Sequence, residues 1–443
     1  MGRRNRRQRL PQATVRATIE SLNHDGRGVT HVGEKVVFVE GALPGEVIEF
    51  RYVATHRRFD EGVVDGVLEP SADRVEAKCP HFGVCGGCSL QHMDPAAQIR
   101  AKQQVLMDNF THLGKVSPES VLPPLQGPQW GYRGKARLGV KYVIKKERLL
   151  VGFREKRSPY LAELERCEVL HPSVGEKLRV IADTIAALEA YDRIAQIEVA
   201  VAEEGTALVF RNLDPLSEAD REQLRQLARE QGYLIYLQPA GPDSVEPLWP
   251  EQISLSYSLP AYDLRYSFQP TDFTQVNQSI NRAMVEQALA LLEPSPEDRV
   301  LDLFCGLGNF TLPIARRVRE VIGVEGAPEL VARARENAVA NGVDNAQFHA
   351  ADLTAELEHA PWWKGGFDKV LLDPPRSGAQ ETLEHLARLK PGRIVYVSCG
   401  PATLARDAGI LVNEHGYRMV QAGVMDMFPH TAHVESIALF VRN

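Results

Sequence analysis

The segment "RVLDLFCGLGNF", Arg299–Phe310, decides how the rest of the chain is read. A short apolar run that stops at a turn holding Gly306 and Gly308 is the pattern of a buried strand leading into a loop where backbone comes close to something else. The same pattern recurs downstream in "REVIGVEG", "AQFHAAD", "KVLLDPP" and "RIVYVSC", with helical stretches such as "PELVARARENAVANG" and "PATLARDAGILVNEHG" between them. Strands alternating with helices at this spacing argue a doubly wound parallel sheet, so a Rossmann-like α/β domain is expected over residues 271–443. The closing "YRMVQAGVMDMF" and "ESIALFVRN" read as a terminal hairpin.

In such sheets ligands bind outside the carboxyl ends of the strands, at the switch point. Gly306 and Gly308 would let the backbone approach a ligand, and Asp302 and the amides of the turn can hold polar atoms. Glu325 ends the second strand about twenty residues later, where an acid accepts hydrogen bonds from ribose hydroxyls. Asp352 ends the third, within reach of an adenine amino group. The phosphate-binding G-x-G-x-x-G is incomplete, because Phe310 and Thr311 follow where another glycine is expected. That disfavours a dinucleotide. A nucleoside without phosphates fits better, and S-adenosylmethionine is the common one.

The fourth strand ends in "LLDPPRSG", Leu371–Gly378, and the fifth in "IVYVSCGPATL", Ile394–Leu404. Methyltransferases acting on exocyclic amines follow the acid and two prolines with an aromatic that stacks on the base; Arg376 stands there instead, so amine methylation is disfavoured, while Asp373 remains beside the sulfonium and the target. Cys305, inside the cofactor turn, reads as a small packing residue. Cys399 ends its strand where a methyl group would be presented, and a buried inert thiol is its plain alternative. Chemistry favours the thiol as a reactant. The C5 carbon of a pyrimidine is a poor nucleophile until a thiolate adds to C6, after which C5 attacks the methyl donor, a base removes the C5 proton and the thiolate leaves. Glu435, in "HVESIAL", starts the last strand and is a carboxylate that the fold could return to the site.

Upstream, Val15 to about Pro70 reads as short strands separated by glycine turns, the signature of a small β-barrel. The pair "LNHDGRGV" and "VFVEGALPGEVIEFRY" resembles the TRAM domain, an RNA-binding barrel of the oligonucleotide-binding type, expected over residues 13–72. Before it, "MGRRNRRQRLPQ" reads as a disordered basic tail over residues 1–12, without the apolar segment of a signal peptide. A helix is expected from Asp94 to about Leu113, with Asp94-Pro95 as cap and first position and with packing against the catalytic domain considered. A mixed α+β central region is expected over residues 73–270. The chain of 443 residues has a net charge of -7, which alone argues against a nucleic-acid partner. Local contrast argues otherwise: from Arg133 to Arg157 ten Lys and Arg stand against Glu147 and Glu155, alternating in "RGKARLGVKY" beside Tyr132, Tyr142 and Phe153. A one-sided basic face with aromatics suits an RNA backbone, and a solvated strand face is the alternative. No segment is apolar enough to span a bilayer, and six cysteines are too few for a secreted disulfide scaffold, so the cytoplasm is the expected compartment.

Taken together, "FTQVNQ" (Phe273 to Gln278), "DLFCGLGNFTLP", "VEG", "DPPRSG", "VSC-x-P" and "HVE" resemble the bacterial RNA uracil-C5 methyltransferases, and within them the members that modify 23S ribosomal RNA and carry both a TRAM domain and an iron-sulfur cluster. The resemblance implies cofactor ligands at Gln275, Phe304, Asn309, Glu325, Asp352 and Asp373, Cys399 as nucleophile and Glu435 as base. It implies 23S ribosomal RNA as partner, with neither DNA nor membrane, and a monomer. One position departs from the family: Gly400 stands where an Asn usually separates the cysteine from the proline. Cys79, Cys85, Cys88 and the distant Cys167 form a C-x5-C-x2-C…C set that suits tetrahedral zinc or a four-iron cluster. A single C-x2-C pair favours the 4Fe-4S cluster, as does the resemblance. Two alternatives stay open: a transfer RNA enzyme of the same chemistry, and a non-catalytic RNA-binding protein with a vestigial methyltransferase domain.

Overall fold

The structure, a computed structural model, describes residues 10, 13–355, 357 and 359–443, so the basic tail expected over residues 1–12 lies almost wholly outside the described residues. The chain gathers into two compact units, Met1–Val105 with Phe428–His433, and Leu106–Met427 with Val434–Asn443. The expected central region is thus divided near residue 105.

In the first unit, six strands form one sheet in the spatial order Val15–Thr18, Val47–Thr55, Phe59–Glu69, Lys35–Glu40, Gly28–Val32, Ser21–Leu22. Alternation puts Val37, Val39, Ile48 and Phe50 on one face, where all four are buried. Gly62 is bare because a Cβ there would stand 2.5 Å from the Phe50 ring. The sheet bends nearly closed, so that the Thr30 hydroxyl donates to Thr18 O at 2.8 Å. Glu46 is buried beside the barrel core, yet every side of its carboxylate is met: Leu43 N–H donates at 2.8 Å, Ser71 N–H at 3.2 Å and Arg74 Nη2 at 2.8 Å. A turn-rich stretch with Cys79, Cys85 and Cys88 follows, and then the helix Pro95–Asn109, whose first turn is capped by Asp94 Oδ1 accepting from Ala96 N–H at 2.9 Å.

The second unit carries two larger sheets. The central one is six-stranded and mixed, in the order Glu246–Trp249, Tyr233–Leu237, Gly205–Asn212, Ile194–Ala202, Lys135–Val143, Arg148–Gly152. The helices Leu178–Ala186 and Glu218–Gln231 cover it. The catalytic sheet is built from β1 (Arg299–Leu303), β2 (Glu320–Glu325), β3 (Ala346–Ala350), β4 (Lys369–Leu372), β5 (Arg393–Ser398), β6 (Tyr417–Met425) and β7 (Glu435–Arg442). Its order is β3-β2-β1-β4-β5-β7-β6, with the short strand Ser120–Val121 beside β6. Strands β1 to β5 run parallel, as apolar strands covered on both faces should. The terminal hairpin is present, but β7 inserts antiparallel between β5 and β6. The longer helices of the catalytic sheet are α1 (Gln278–Leu292), α2 (Pro328–Ala340), α3 (Gln380–Leu389) and α4 (Pro401–Asn413), and a short helix, Thr311–Ala315, follows the turn after β1. A π-helical turn, Phe110–Gly114, continues the helix Pro95–Asn109 and lies against α4, where Asn413 Nδ2 donates to Gly114 O at 3.3 Å.

Candidate active site

A parallel sheet sends all its carboxyl ends to one edge, and the reversal of strand order between β1 and β4 opens a crevice there. Leaving β1, the backbone turns through left-handed conformations at Phe304 (φ 64°), Gly306 (53°) and Gly308 (86°). Such a φ is strained for Phe304 and is the kind of outlier that clusters at ligand sites. A Cβ at Gly306 would meet nothing within 4 Å, so that side of the turn is open to a bound molecule. Glu325, at the end of β2, accepts from Gly306 N–H and Ala327 N–H, each at 3.1 Å, which fixes its carboxylate and leaves lone pairs for hydroxyl donors. Asp352 is exposed just after β3 and accepts from Thr354 N–H at 2.9 Å and Thr354 Oγ1 at 2.7 Å; those two bonds hold its carboxyl below the usual range. Gln275 is half-buried in the loop before α1, beside the exposed Phe273. An open glycine turn flanked by two acids fits a phosphate-free nucleoside such as that of S-adenosylmethionine.

One expectation for this turn needs correction. Asp302 does not face a ligand: it is fully buried under the turn, Oδ2 accepting from Thr311 Oγ1, and burial pushes its pKa up to about 8. The Asn309 side chain is already engaged. Its Nδ2 donates to Asn281 Oδ1 at 2.9 Å, and its Oδ1 accepts from Asn281 Nδ2 at 3.1 Å and Tyr257 OH at 3.0 Å. Tyr257 stacks on Tyr266 with ring centroids 4.8 Å apart, and Tyr266 OH donates to Gly308 O at 3.4 Å. Tyr257, Tyr266 and Asn281 thus brace the glycine turn, and sequence reading missed all three. The signal lay in "YSLPAYDLRY", two short aromatic strands about a Pro turn.

Across the switch point, Asp373 follows β4 and Cys399 follows β5. Because β7 runs antiparallel to β5, with Ser398 opposite Ser436, its first residue falls at the carboxyl edge of its neighbour, and this brings Glu435 to the thiol. Burial pushes Asp373 up to about 7 and, with the charge of Asp373, Glu435 up to about 8. Burial, Glu435 and Asp373 together raise the Cys399 thiol. Arg376 is the cation that opposes the shift at both Cys399 and Glu435. Cys305, by contrast, is buried against Gly323, whose missing Cβ would stand 3.0 Å from its sulfur, as a packing residue should.

The basic stretch is less one-sided than its alternation suggests. Arg137 lies directly across the central sheet from Glu198 and pairs with it at 2.7 Å, while Lys146 and Arg148 share Glu163. Lys135 turns inward: its Nζ donates to Pro270 O under the loop that carries Phe273 and Gln275, and burial lowers its pKa to about 8. Lys141 remains on the exposed face. Beside these residues lies a polar cleft of about 670 Å³ that also reaches Phe273 and Arg333.

All six cysteines are thiols, none in a disulfide. Cys79, Cys85 and Cys88 belong to the first unit and Cys167 to the second, and among the described residues no group of three or more His, Cys, Asp or Glu is arranged to hold a metal ion. The loop of the first three nevertheless suits thiolates, since Gly87 N–H points at Cys85 Sγ at 3.4 Å. The backbone of Cys167 is held by Gly175 O at 2.8 Å.

A model of the tRNA (Uracil-5-)-methyltransferase family matches residues 196–443, and one of the TRAM domain matches residues 8–59. The 23S rRNA (uracil(1939)-C(5))-methyltransferase RlmD of Alkalilimnicola ehrlichii is 57% identical over 444 residues, covering 100% of this chain and 99% of its own. That of Methylococcus capsulatus is 54% identical over 443 residues, covering 100% of each. Among solved structures, the tRNA (uracil-54, C5)-methyltransferase of Pyrococcus abyssi, in complex with S-adenosyl-L-homocysteine, superposes with a TM-score of 0.73 at 25% identity over 96% of this chain and 99% of its own. These matches span the catalytic sheet and the N-terminal barrel, and the chain belongs to the S-adenosylmethionine-dependent RNA uracil-C5 methyltransferases with an N-terminal TRAM domain.

Proposed function

We propose that this protein methylates C5 of one uridine in 23S ribosomal RNA, the position that its relatives' names number 1939, acting as a monomer in the cytoplasm. The observation that carries the reading is the meeting of Cys399 and Glu435 at one strand edge beside the glycine turn. S-adenosylmethionine, when bound, supplies an electrophilic methyl group. Gln275, Phe304, Asn309, Glu325, Asp352 and Asp373 are its proposed contacts, with Asn309 serving through its backbone because its amide is engaged. Cys399 would lose its proton to solvent and add to C6, C5 would take the methyl group and leave the cofactor as a thioether, Glu435 in its anionic form would take the C5 proton, and the C6–S bond would break to release the thiolate and restore the uracil. The uridine must leave its stack to reach a thiol at a strand end. Methylation of full-length 23S transcript with labelled cofactor, mapped by mass spectrometry, tests this. A single 5-methyluridine is expected, and methyl groups appearing in transfer RNA alone would replace the reading with the tRNA activity named for the Pyrococcus protein.

Cys79, Cys85, Cys88 and Cys167 are proposed as the thiolates of a 4Fe-4S cluster, a reading supported by their spacing and by the N–H directed at Cys85 Sγ. Anaerobically purified protein should then be brown and contain iron; stoichiometric zinc without visible absorption would overturn the assignment.

A further inference from the structure

Helix α4 starts two residues after Cys399 and turns three polar side chains, Thr403, Arg406 and Asp407, to one face. All three end on the backbone of the loop after Asp373. The Thr403 hydroxyl lies 3.2 Å from Arg376 O and 3.0 Å from Gly400 O, donating between them. Arg406 Nη2 donates to Ser377 O at 3.0 Å, and Asp407 Oδ2 accepts from Ala379 N–H at 2.8 Å. Asp407 is fully buried and also accepts from Tyr396 OH of β5 at 2.6 Å and from Arg406 Nε at 2.8 Å. Between these anchors Gly378 (φ 81°) is pressed in so closely that a Cβ would stand 2.5 Å from Arg406 Nη2 and 2.6 Å from Asp407 Oδ2. At Gly400 the same helix comes close, a Cβ there standing 2.6 Å from Thr403 Oγ1 and 3.3 Å from Arg376 O. Apolar packing could hold an ordinary loop, and a buried carboxylate is an expensive substitute for it. Here it fixes the segment from which Arg376 projects.

We propose that Thr403, Arg406 and Asp407 are positioning residues that hold Arg376 beside Cys399 and Glu435. The proposal rests on the reading of Cys399 and Glu435 as the reacting pair. A guanidinium held there stabilises the negative charge that builds up as the thiolate and the carboxylate form, and its effect depends on its distance from them. Thr403 touches neither reactant and acts through the loop.

The test uses the full-length protein, S-adenosylmethionine and a 23S transcript made with 5-fluorouridine, in which the base cannot remove fluorine and the covalent protein–RNA species survives denaturation. Thr403→Val keeps the shape and loses the hydroxyl; trapping should slow about tenfold, with the alkaline limb of its pH profile moved upward. Thr403→Ser should recover the wild-type rate to within about twofold, and in an Arg376→Ala background Thr403→Val should add no further loss. If Thr403→Val traps at the wild-type rate with an unmoved pH limb, the clamp is overturned while the reacting pair stands. An equal loss in the Arg376→Ala background makes Thr403 a support of the fold and overturns its action through Arg376. Absence of any trapped species with the wild-type protein overturns the reacting pair and this proposal together.

Discussion

Glu46 in the barrel and Glu435 at the catalytic edge are both buried glutamates, yet their surroundings push them in opposite directions. Burial raises Glu46, but the Arg74 guanidinium and the N–H groups of Leu43 and Ser71 outweigh it and hold the carboxyl below its usual range. Around Glu435 burial acts with the charge of Asp373, opposed only by Arg376 among its named neighbours, and the carboxyl is pushed up to about 8. A structural carboxylate is thus supplied with partners, whereas the proposed base is kept short of them. The shortage would make Glu435, in the proposed role, strong enough to take a carbon-bound proton once it is ionised.

The sharpest way to break this contrast is to remove the chemistry. Cys399→Ala should lower methyl transfer by at least about 10⁴-fold and abolish the 5-fluorouridine adduct, while Cys305→Ala leaves the adduct intact. Glu435→Gln should instead let adduct accumulate with ordinary uridine, since addition and methyl transfer proceed and proton removal stalls. A normal methylation rate in Cys399→Ala would leave the thiol as packing alone.

Stability gives the next largest effect, with unlike outcomes for the two glutamates. Glu46→Gln removes the charge opposite a partly buried Arg74 and should cost about 3 kcal/mol in urea denaturation. Glu435→Gln at pH 7 should instead raise stability, by on the order of 2 kcal/mol, because the native carboxyl carries its proton there while the unfolded one is ionised, and a neutral side chain spares that proton uptake on folding. Equal losses would mean that the two sites do not differ as described.

The pH dependence follows with the same pairing of signs. For Asp302, Asp373 and Glu435 the folded pKa values of about 8, about 7 and about 8 lie above those of the unfolded chain, so their contribution is fully present below about pH 4 and is lost as pH rises through 7 to 8. Glu46 is lowered, so its contribution is present above the usual carboxylate range and is lost as pH falls through its folded value. Activity should rise over the same alkaline window in which the catalytic edge loses stability, as Cys399 and Glu435 give up protons. Denaturation curves from pH 5 to about 9 should flatten in Glu435→Gln; an unchanged slope would remove Glu435 from the account.

The smallest expected effect concerns RNA. Lys141→Ala should reduce the salt slope of RNA affinity by about 0.7 to 0.9 if it meets a phosphate. Arg137→Ala, whose charge is matched by Glu198, should reduce it by less. The reverse ranking would restore the one-sided basic face.

Much of this site was legible because a parallel strand announces itself: an apolar run that ends in Glu325, Asp373 or Cys399 can place that residue only at the carboxyl edge. Glu435 was not legible in this way. Periodicity marks β7 as a strand but does not say that it inserts between β5 and β6, and resemblance supplied what pattern could not. The basic stretch shows the opposite failure. Alternation correctly put Arg137 and Lys141 on one face of a strand, but the partner across the sheet, Glu198, is some sixty residues away in sequence and is known only once the register is. Tyr257 and Tyr266 stayed hidden for a similar reason, since their contact with the glycine turn belongs to tertiary structure.

The insertion of β7 also sets the order in which the enzyme can come into being. β7 is synthesised after β1 to β6, so until then β5 lacks its neighbour on one side and Cys399 its proposed base. Without Glu435–Arg442 between β5 and β6 the proposed turnover could not be completed. A thiol able to add to RNA without a base to finish the reaction would tether the unfinished protein to its substrate. Release of the product, rather than addition of the thiol, would wait for the strand that completes the sheet.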